Sequence, residues 1–128
     1  MRVLFVEDDP MNRNVVRDML TIVDVAMAEA ADAETGLRMI DGDDDYDAIL
    51  MDLRMPGMDG LEAIRHIRAR GDAKGKIPII VITADMAHDL PKRCRDIGAN
   101  HVLSKPVPMD ALFDTLSEVI DGRANLIA

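Results

Sequence analysis

Asp47-Ala48-Ile49-Leu50-Met51-Asp52-Leu53-Arg54-Met55-Pro56-Gly57-Met58-Asp59-Gly60 is the stretch that decides the fold. Ala48 to Met51 is a short, unbroken apolar run, the pattern of a strand covered on both faces. It stops at a carboxylate, Asp52, and a loop rich in Pro and Gly follows. A charge at the end of a buried strand costs free energy unless something compensates it. Asp52 therefore reads as a site residue rather than a folding residue.

The same pattern recurs on either side. Val3-Leu4-Phe5-Val6 is an apolar run that ends at Glu7-Asp8. Asp9-Pro10 then reads as an N-cap and first helical residue, and Met11, Val15, Val16, Met19 and Leu20 carry a helix to about Ile22. Val25 to Glu29 is a weaker strand, and Asp32 caps a helix to about Ile40. After Gly60, Leu61, Ile64 and Ile67 mark one helix face, and Gly71 to Gly75 ends it. Pro78 to Ile82 is a strand closed by Thr83. A helix is predicted over Met86–Ile97, with Pro91 in its first turns and Gly98 as its stop. His101-Val102-Leu103 is a short strand ending at Ser104-Lys105, and Met109 to Ile120 is the last helix. A strand and a helix thus alternate five times. Apolar strands separated by helices imply a parallel sheet covered on both faces with right-handed crossovers. The expected fold is a flavodoxin-like (βα)5 doubly wound α/β sandwich with strand order 2-1-3-4-5. Residues 1–121 read as one domain and 122–128 as a C-terminal tail.

Composition narrows the function. The chain has 128 residues, one ordinary domain. A net charge of −9 argues against nucleic acid, and an aromatic content of 2% leaves no platform for stacked bases. No apolar run is long enough to span a bilayer. The apolar start, residues 1–6, is too short for a secretion signal. The lone Cys94 suits a reducing cytosol, so a cytoplasmic protein without membrane contact is expected. Asp41 to Asp45 faintly suggests a calcium loop, but Tyr46 stands where Gly is needed, so it reads as a solvated turn. Arg65, Arg68 and Arg70 read as a solvated helix face, His66 and His88 as helix surface, and the ten Met residues mostly as core filler.

In a parallel sheet all strand carboxyl ends share one edge, and ligands bind outside it where strand order reverses. Glu7, Asp8, Asp52, Thr83 and Lys105 all fall at that edge. Singly, each has a bland reading: an acidic loop, a cap, a strand-end hydroxyl, a surface lysine. Jointly they define a centre. Crowded carboxylates repel one another, and a hard divalent cation relieves that. Mg²⁺ fits oxygen ligands and keeps several waters, with Asp8 and Asp52 direct and Glu7 through water; Mn²⁺ is the alternative. A carboxylate can attack phosphorus to give an aspartyl phosphate. Asp52 is the expected nucleophile, Lys105 the counter-charge and Thr83 a neutral donor to a phosphoryl oxygen.

The residues Val6-Glu7-Asp8-Asp9, Met51 to Gly60, Val81-Ile82-Thr83-Ala84 and Lys105-Pro106 resemble the receiver domain of bacterial two-component response regulators, over essentially the whole chain. The resemblance implies that Asp52 takes phosphate from a phosphohistidine on a histidine kinase or phosphotransfer protein. It implies Mg²⁺ held by Asp8, Asp52 and the backbone carbonyl of Arg54, with Glu7 in support. It implies a cis bond between Lys105 and Pro106, and a shift of Thr83 toward the phosphoryl group that biases a two-state face built from the fourth helix, fifth strand and fifth helix. Val102, flanked by His101, stands where the family carries Tyr or Phe. The expectation is a smaller output change, or one carried by His101. Arg54 and Asp85 border the path of hydrolytic water and are expected to pair and prolong the phosphate's lifetime. Pro10, Met11 and Pro106 border the site and are expected to dock a histidine-bearing helix.

The expected protein is a monomeric, single-domain regulator acting through protein contacts on a downstream target, and not an enzyme beyond its own phosphorylation and dephosphorylation. The alternatives are a receiver excised from a hybrid histidine kinase, or a phosphate shuttle or sink in a phosphorelay. A phosphatase of the haloacid-dehalogenase type needs an Asp two residues after the nucleophile, where Arg54 stands. A flavodoxin-like FMN carrier lacks a phosphate-cradling loop after the first strand.

Overall fold

The computed structural model describes residues 1–85 and 87–127, with side chains through Ile120. Strands and helices alternate as β1 (Arg2–Val6), α1 (Pro10–Ile22), β2 (Ala26–Ala30), α2 (Ala33–Asp41), β3 (Ala48–Met51), α3 (Gly60–Arg68), β4 (Ile79–Thr83), α4 (Leu90–Asp96), β5 (His101–Ser104) and α5 (Met109–Ile127). A 3₁₀ turn, Ala73–Lys76, joins α3 to β4. The five strands form one parallel sheet in the order β2-β1-β3-β4-β5. This is the flavodoxin-like sandwich expected from the sequence.

Alternation along each strand makes two cores. Leu4 and Val6, Ile49 and Met51, and Ile79 and Val81 face the side covered by α2, α3 and α4. Val3 and Phe5, Ala48 and Leu50, and Ile80 and Ile82 face the side of α1 and α5, where they meet Val16, Leu20, Leu112 and Leu116. Every residue of β3 and β4 is buried. Burying Leu- and Ile-sized side chains on both faces stabilises by about 2 kcal/mol apiece, so the central strands are the rigid part of the molecule.

Local chemistry starts the first three helices where the sequence says. Asp9 caps α1 by accepting from the Met11 amide at 2.9 Å, with Pro10 at the first position. Asp32 caps α2 through the Thr35 amide at 2.7 Å, and Asp59 caps α3 through the Glu62 amide at 2.8 Å. Gly57 has φ +82°, and a Cβ on Gly60 would sit 2.3 Å from the Asp52 carbonyl oxygen. Those two positions need Gly for the loop after Asp52 to fold back on the strand.

Three expectations change. The fourth helix starts at Leu90, not Met86, which lies outside the described residues. Asp85 instead closes a turn on the Ala87 amide, and Pro91 then falls in the first turn of α4, where a missing N–H costs nothing. The last helix runs on to Ile127, where a tail was expected from 122. A single Gly122 costs only about 1 kcal/mol, and Ala124 and Leu126 are strong helix formers. The supposed basic face of α3 is not simply solvated. Arg68 donates to the carbonyls of Gly98 (2.8 Å), Gly75 (2.9 Å) and Ile77 (2.7 Å) and to Asn100 Oδ1 (3.0 Å). Arg70 pairs with Asp41 and Asp72. Arg65 alone of the three is exposed.

Candidate phosphoacceptor and metal site

The strand ladders set the positions of the site residues. The Glu7 amide donates to Ala30 O on β2, the Asp52 amide to Val6 O on β1, and the Lys105 amide to Thr83 O on β4, at 2.9, 3.0 and 2.9 Å. Glu7, Asp52 and Lys105 are thus the first residues past the last paired rung, with their backbones still bonded to the neighbouring strand. Asp8 follows at the loop and is exposed, whereas Glu7, Asp52 and Thr83 are 1%, 4% and 1% exposed. All of them line one open cleft of about 260 Å³ with Asn12, Arg54 and Lys105.

Within the cleft Lys105 Nζ lies 3.0 Å from Glu7 Oε2 and 3.3 Å from Asp52 Oδ1. Carboxylate oxygens of Glu7, Asp8 and Asp52 lie within 4.8 Å of one another. Burial pushes the Asp52 carboxyl up to about 6, and the neighbouring Glu7 charge pushes the same way, while Lys105 pulls it down. Burial opposes charging of Lys105, but its hydrogen bond to Glu7 and the Asp52 and Glu7 charges outweigh this, and its ammonium is held above the ordinary value. A single cation therefore faces the two buried carboxylates, with a third at the mouth. The donor set is all oxygen, one side is open to water, and the negative charge exceeds what Lys105 compensates. Those are the requirements of a hard, partly hydrated divalent ion.

Thr83 Oγ1 accepts from the Asp85 amide at 3.0 Å, which leaves the hydroxyl proton to donate. Arg54 Nη2 donates to Asp85 Oδ2 at 3.0 Å. The expected bridge between β3 and β4 loops is therefore present. Asp85 is held below the usual carboxylate range, first by the Ala87 amide and then by Arg54. The Lys105–Pro106 peptide is cis. Of the three expected docking residues, Met11 is 75% exposed and Pro10 and Pro106 are exposed as well.

Of the expected switch residues, Thr83 lines this cleft, whereas Val102 and His101 are not among its lining. Val102 is half-buried and, with Leu90, Pro91, Leu103 and Pro108, lines a depression of about 290 Å³ between α4 and β5. His101 Nε2 faces Glu118 on α5 at 3.8 Å. Two further contacts escape a reading of the sequence. Asn12 Nδ2 donates to Glu7 Oε1 at 3.1 Å. Arg13 donates to the Glu7 carbonyl at 2.7 Å while pairing with Glu29 at 3.2 Å. The available signal was positional. Asn12 and Arg13 fall in the first turn of a helix whose cap directly follows the acidic pair.

Residues 3–117 match the response regulator receiver domain family. The chain belongs to that family. It is 36% identical to the receiver domain of the sensor histidine kinase PA1611 of Pseudomonas aeruginosa, a structure with a magnesium ion in its active-site cleft. That alignment covers 94% of this chain and 97% of the other, with a TM-score of 0.84. The chemotaxis protein CheY4 of Vibrio cholerae is 28% identical, over 92% and 97%, with a TM-score of 0.83. The sensory/regulatory protein RpfC of Xanthomonas campestris is 32% identical over 120 residues, 93% of this chain and 16% of RpfC. The receiver thus corresponds to a small part of that larger protein. Among the described residues, no helix is long and apolar enough to cross a membrane.

Proposed function

We propose that this receiver accepts a phosphoryl group on Asp52 from a phosphohistidine and so changes its contacts with a downstream protein. The observation that carries the reading is the Asp52 carboxylate: buried, fixed to β1 through its own amide, and 3.3 Å from Lys105. An Asp52 oxygen attacks phosphorus as the phosphorus–nitrogen bond breaks. The imidazole leaves with the electron pair and remains on the donor protein. Lys105 offsets charge that builds on the phosphoryl oxygens, and the Thr83 hydroxyl donates to one of them. Asp8, Asp52 and the Arg54 carbonyl would hold Mg²⁺, or Mn²⁺ in its place, with Glu7 in support through water. When bound, the ion neutralises the crowded carboxylates and the incoming phosphoryl charge.

The chain acts on itself rather than on external substrates. Position 54 offers a guanidinium already engaged with Asp85, so no general acid stands two residues after the nucleophile. The donor's histidine-bearing helix docks on Pro10, Met11 and Pro106, beside an apolar depression lined by Phe5, Val15, Val16, Met19 and Val107. The working form is a cytoplasmic monomer of bacterial two-component signalling. A second reading, a relay receiver passing phosphate within a hybrid kinase pathway, is favoured by the likeness to RpfC and the PA1611 receiver.

Incubation with acetyl phosphate or phosphoramidate, with Mg²⁺ and with EDTA, followed by intact mass, tests the core claim. One phosphate is expected with Mg²⁺, none in EDTA and none in Asp52→Ala. Uptake that persists in Asp52→Ala would overturn the assignment. A phosphorylated histidine phosphotransfer domain as donor then distinguishes a relay role by the reverse transfer.

A further inference from the structure

Glu7 is a buried carboxylate with little freedom. Its amide is bonded to Ala30 O at 2.9 Å, and its carbonyl accepts from Arg13 at 2.7 Å, with Arg13 anchored on Glu29. Only the side-chain torsions remain, and two donors oppose each other across them. Lys105 holds Oε2 at 3.0 Å, and Asn12 holds Oε1 at 3.1 Å. The Asp9 amide is a third, longer donor to Oε1 at 3.4 Å. Both oxygens of Glu7 are therefore occupied by protein donors. Asp8 is exposed at the mouth of the cleft, and Asp52 presents Oδ1 to Lys105 at 3.3 Å.

We propose that Asn12 is a positioning residue that keeps Glu7 from becoming a direct metal ligand and thereby tunes the site toward Mg²⁺ over Ca²⁺. The inference rests on the metal-dependent reading above. Mg²⁺ demands six short oxygen contacts and retains waters; Ca²⁺ takes six to eight at longer range and tolerates irregular shells. A site with two carboxylates and several waters suits the first. The same site with a third, mobile carboxylate suits the second. One Glu7 oxygen already lies within 4.8 Å of an oxygen of Asp8 and of Asp52, so Glu7 is close enough to enter the shell once its donors release it. What prevents the turn on the Oε1 side is a charge-assisted hydrogen bond from a neutral amide, on a residue that lines the cleft. Asn12 stands at the third position of α1, where replacement leaves the cap made by Asp9 intact.

Isothermal titration of the whole chain with MgCl₂ and with CaCl₂ tests this, comparing wild type, Asn12→Ala and Asn12→Gln. The Ala variant should raise Ca²⁺ affinity relative to Mg²⁺ by roughly five- to tenfold, the worth of about one such hydrogen bond. The Gln variant restores an amide and should bring the ratio back toward wild type. Circular dichroism melts confirm that both variants fold. An unchanged or lowered ratio in Asn12→Ala overturns the proposal, as does an equal rise in the Ala and Gln variants. Failure of wild type to bind Mg²⁺ would instead overturn the metal reading on which it stands, so the two failures are told apart.

Discussion

Asp52→Asn should make the metal-free protein more stable, although it destroys the phosphoacceptor. The substitution keeps the shape of the side chain and removes one buried charge. Asp52 is 4% exposed, and its ionisation is moved from the ordinary 3.8 to about 6, chiefly by burial and secondly by Glu7. At about 1.4 kcal/mol per pH unit, that is at most roughly 3 kcal/mol between folded and unfolded chains. The sign follows from proton counts. Between pH 4 and 6 the folded chain holds a proton on Asp52 that the unfolded chain has released. Stability from this residue is therefore full below pH 4 and is lost as pH rises through 6. Asn carries no such loss. Urea unfolding followed by far-ultraviolet circular dichroism, in EDTA, should show Asp52→Asn ahead by up to about 3 kcal/mol at pH 8. The gap should close steadily toward pH 4, where Asp52 is protonated in the folded wild type and its buried charge is gone. Millimolar Mg²⁺ should close it at pH 8 as well, because an ion that binds only the folded wild type stabilises it by mass action. An Asp52→Asn protein no more stable than wild type at pH 8 in EDTA, or a gap that ignores pH, would refute the reasoning.

Three other outcomes follow from particular contacts. Arg54→Ala and Asp85→Ala should each shorten the phosphorylated form's half-life about threefold, and the double variant should add nothing, since both break one bridge; phosphate loss followed by intact mass measures it. Arg68→Ala leaves the Gly98, Gly75 and Ile77 carbonyls without their shared donor. It should cost about 2–4 kcal/mol in urea unfolding while leaving phosphate uptake per folded molecule unchanged. Phosphorylation should move the amide NMR shifts of β5 and α5 less in wild type than in Val102→Tyr, whose ring can occupy the depression against α4; equal responses in the two proteins would remove Val102 as the reason for a muted switch.

The fold was legible because the central strands obey a simple rule. Ala48–Met51 and Ile79–Thr83 are buried at every residue, so an unbroken apolar run sufficed to find them. Asp9, Asp32 and Gly98 punctuate helices by chemistry local to the chain. What stayed hidden depends on residues distant in sequence. Arg68 looks like any helix-surface arginine until Gly98 and Asn100, some thirty positions on, supply its acceptors. The start of α4 was misplaced because the Asp85 turn and Pro91 outweigh a helical pattern that is weak in a seven-residue element.

The site residues were legible for a different reason, and that reason bears on function. A parallel sheet forces unlike side chains onto one edge, and no packing argument explains a buried Glu7 beside a buried Asp52. Two carboxylates that share one lysine are a poor way to hold a fold together. They are a good way to store affinity for a cation, because a positive charge relieves repulsion already present. The positions of Glu7, Asp52 and Lys105 are accordingly fixed by ladder bonds to β2, β1 and β4. The face built from α4 and β5 carries a depression instead. Val102 lines that depression with Leu90 and Pro91, and the Ala87 amide donates to Asp85 Oδ1 at 3.0 Å beside it. Thr83, which lines the cleft and accepts from the Asp85 amide at 3.0 Å, is the hydrogen-bonded link between the charge cluster and the loop that leads to that depression.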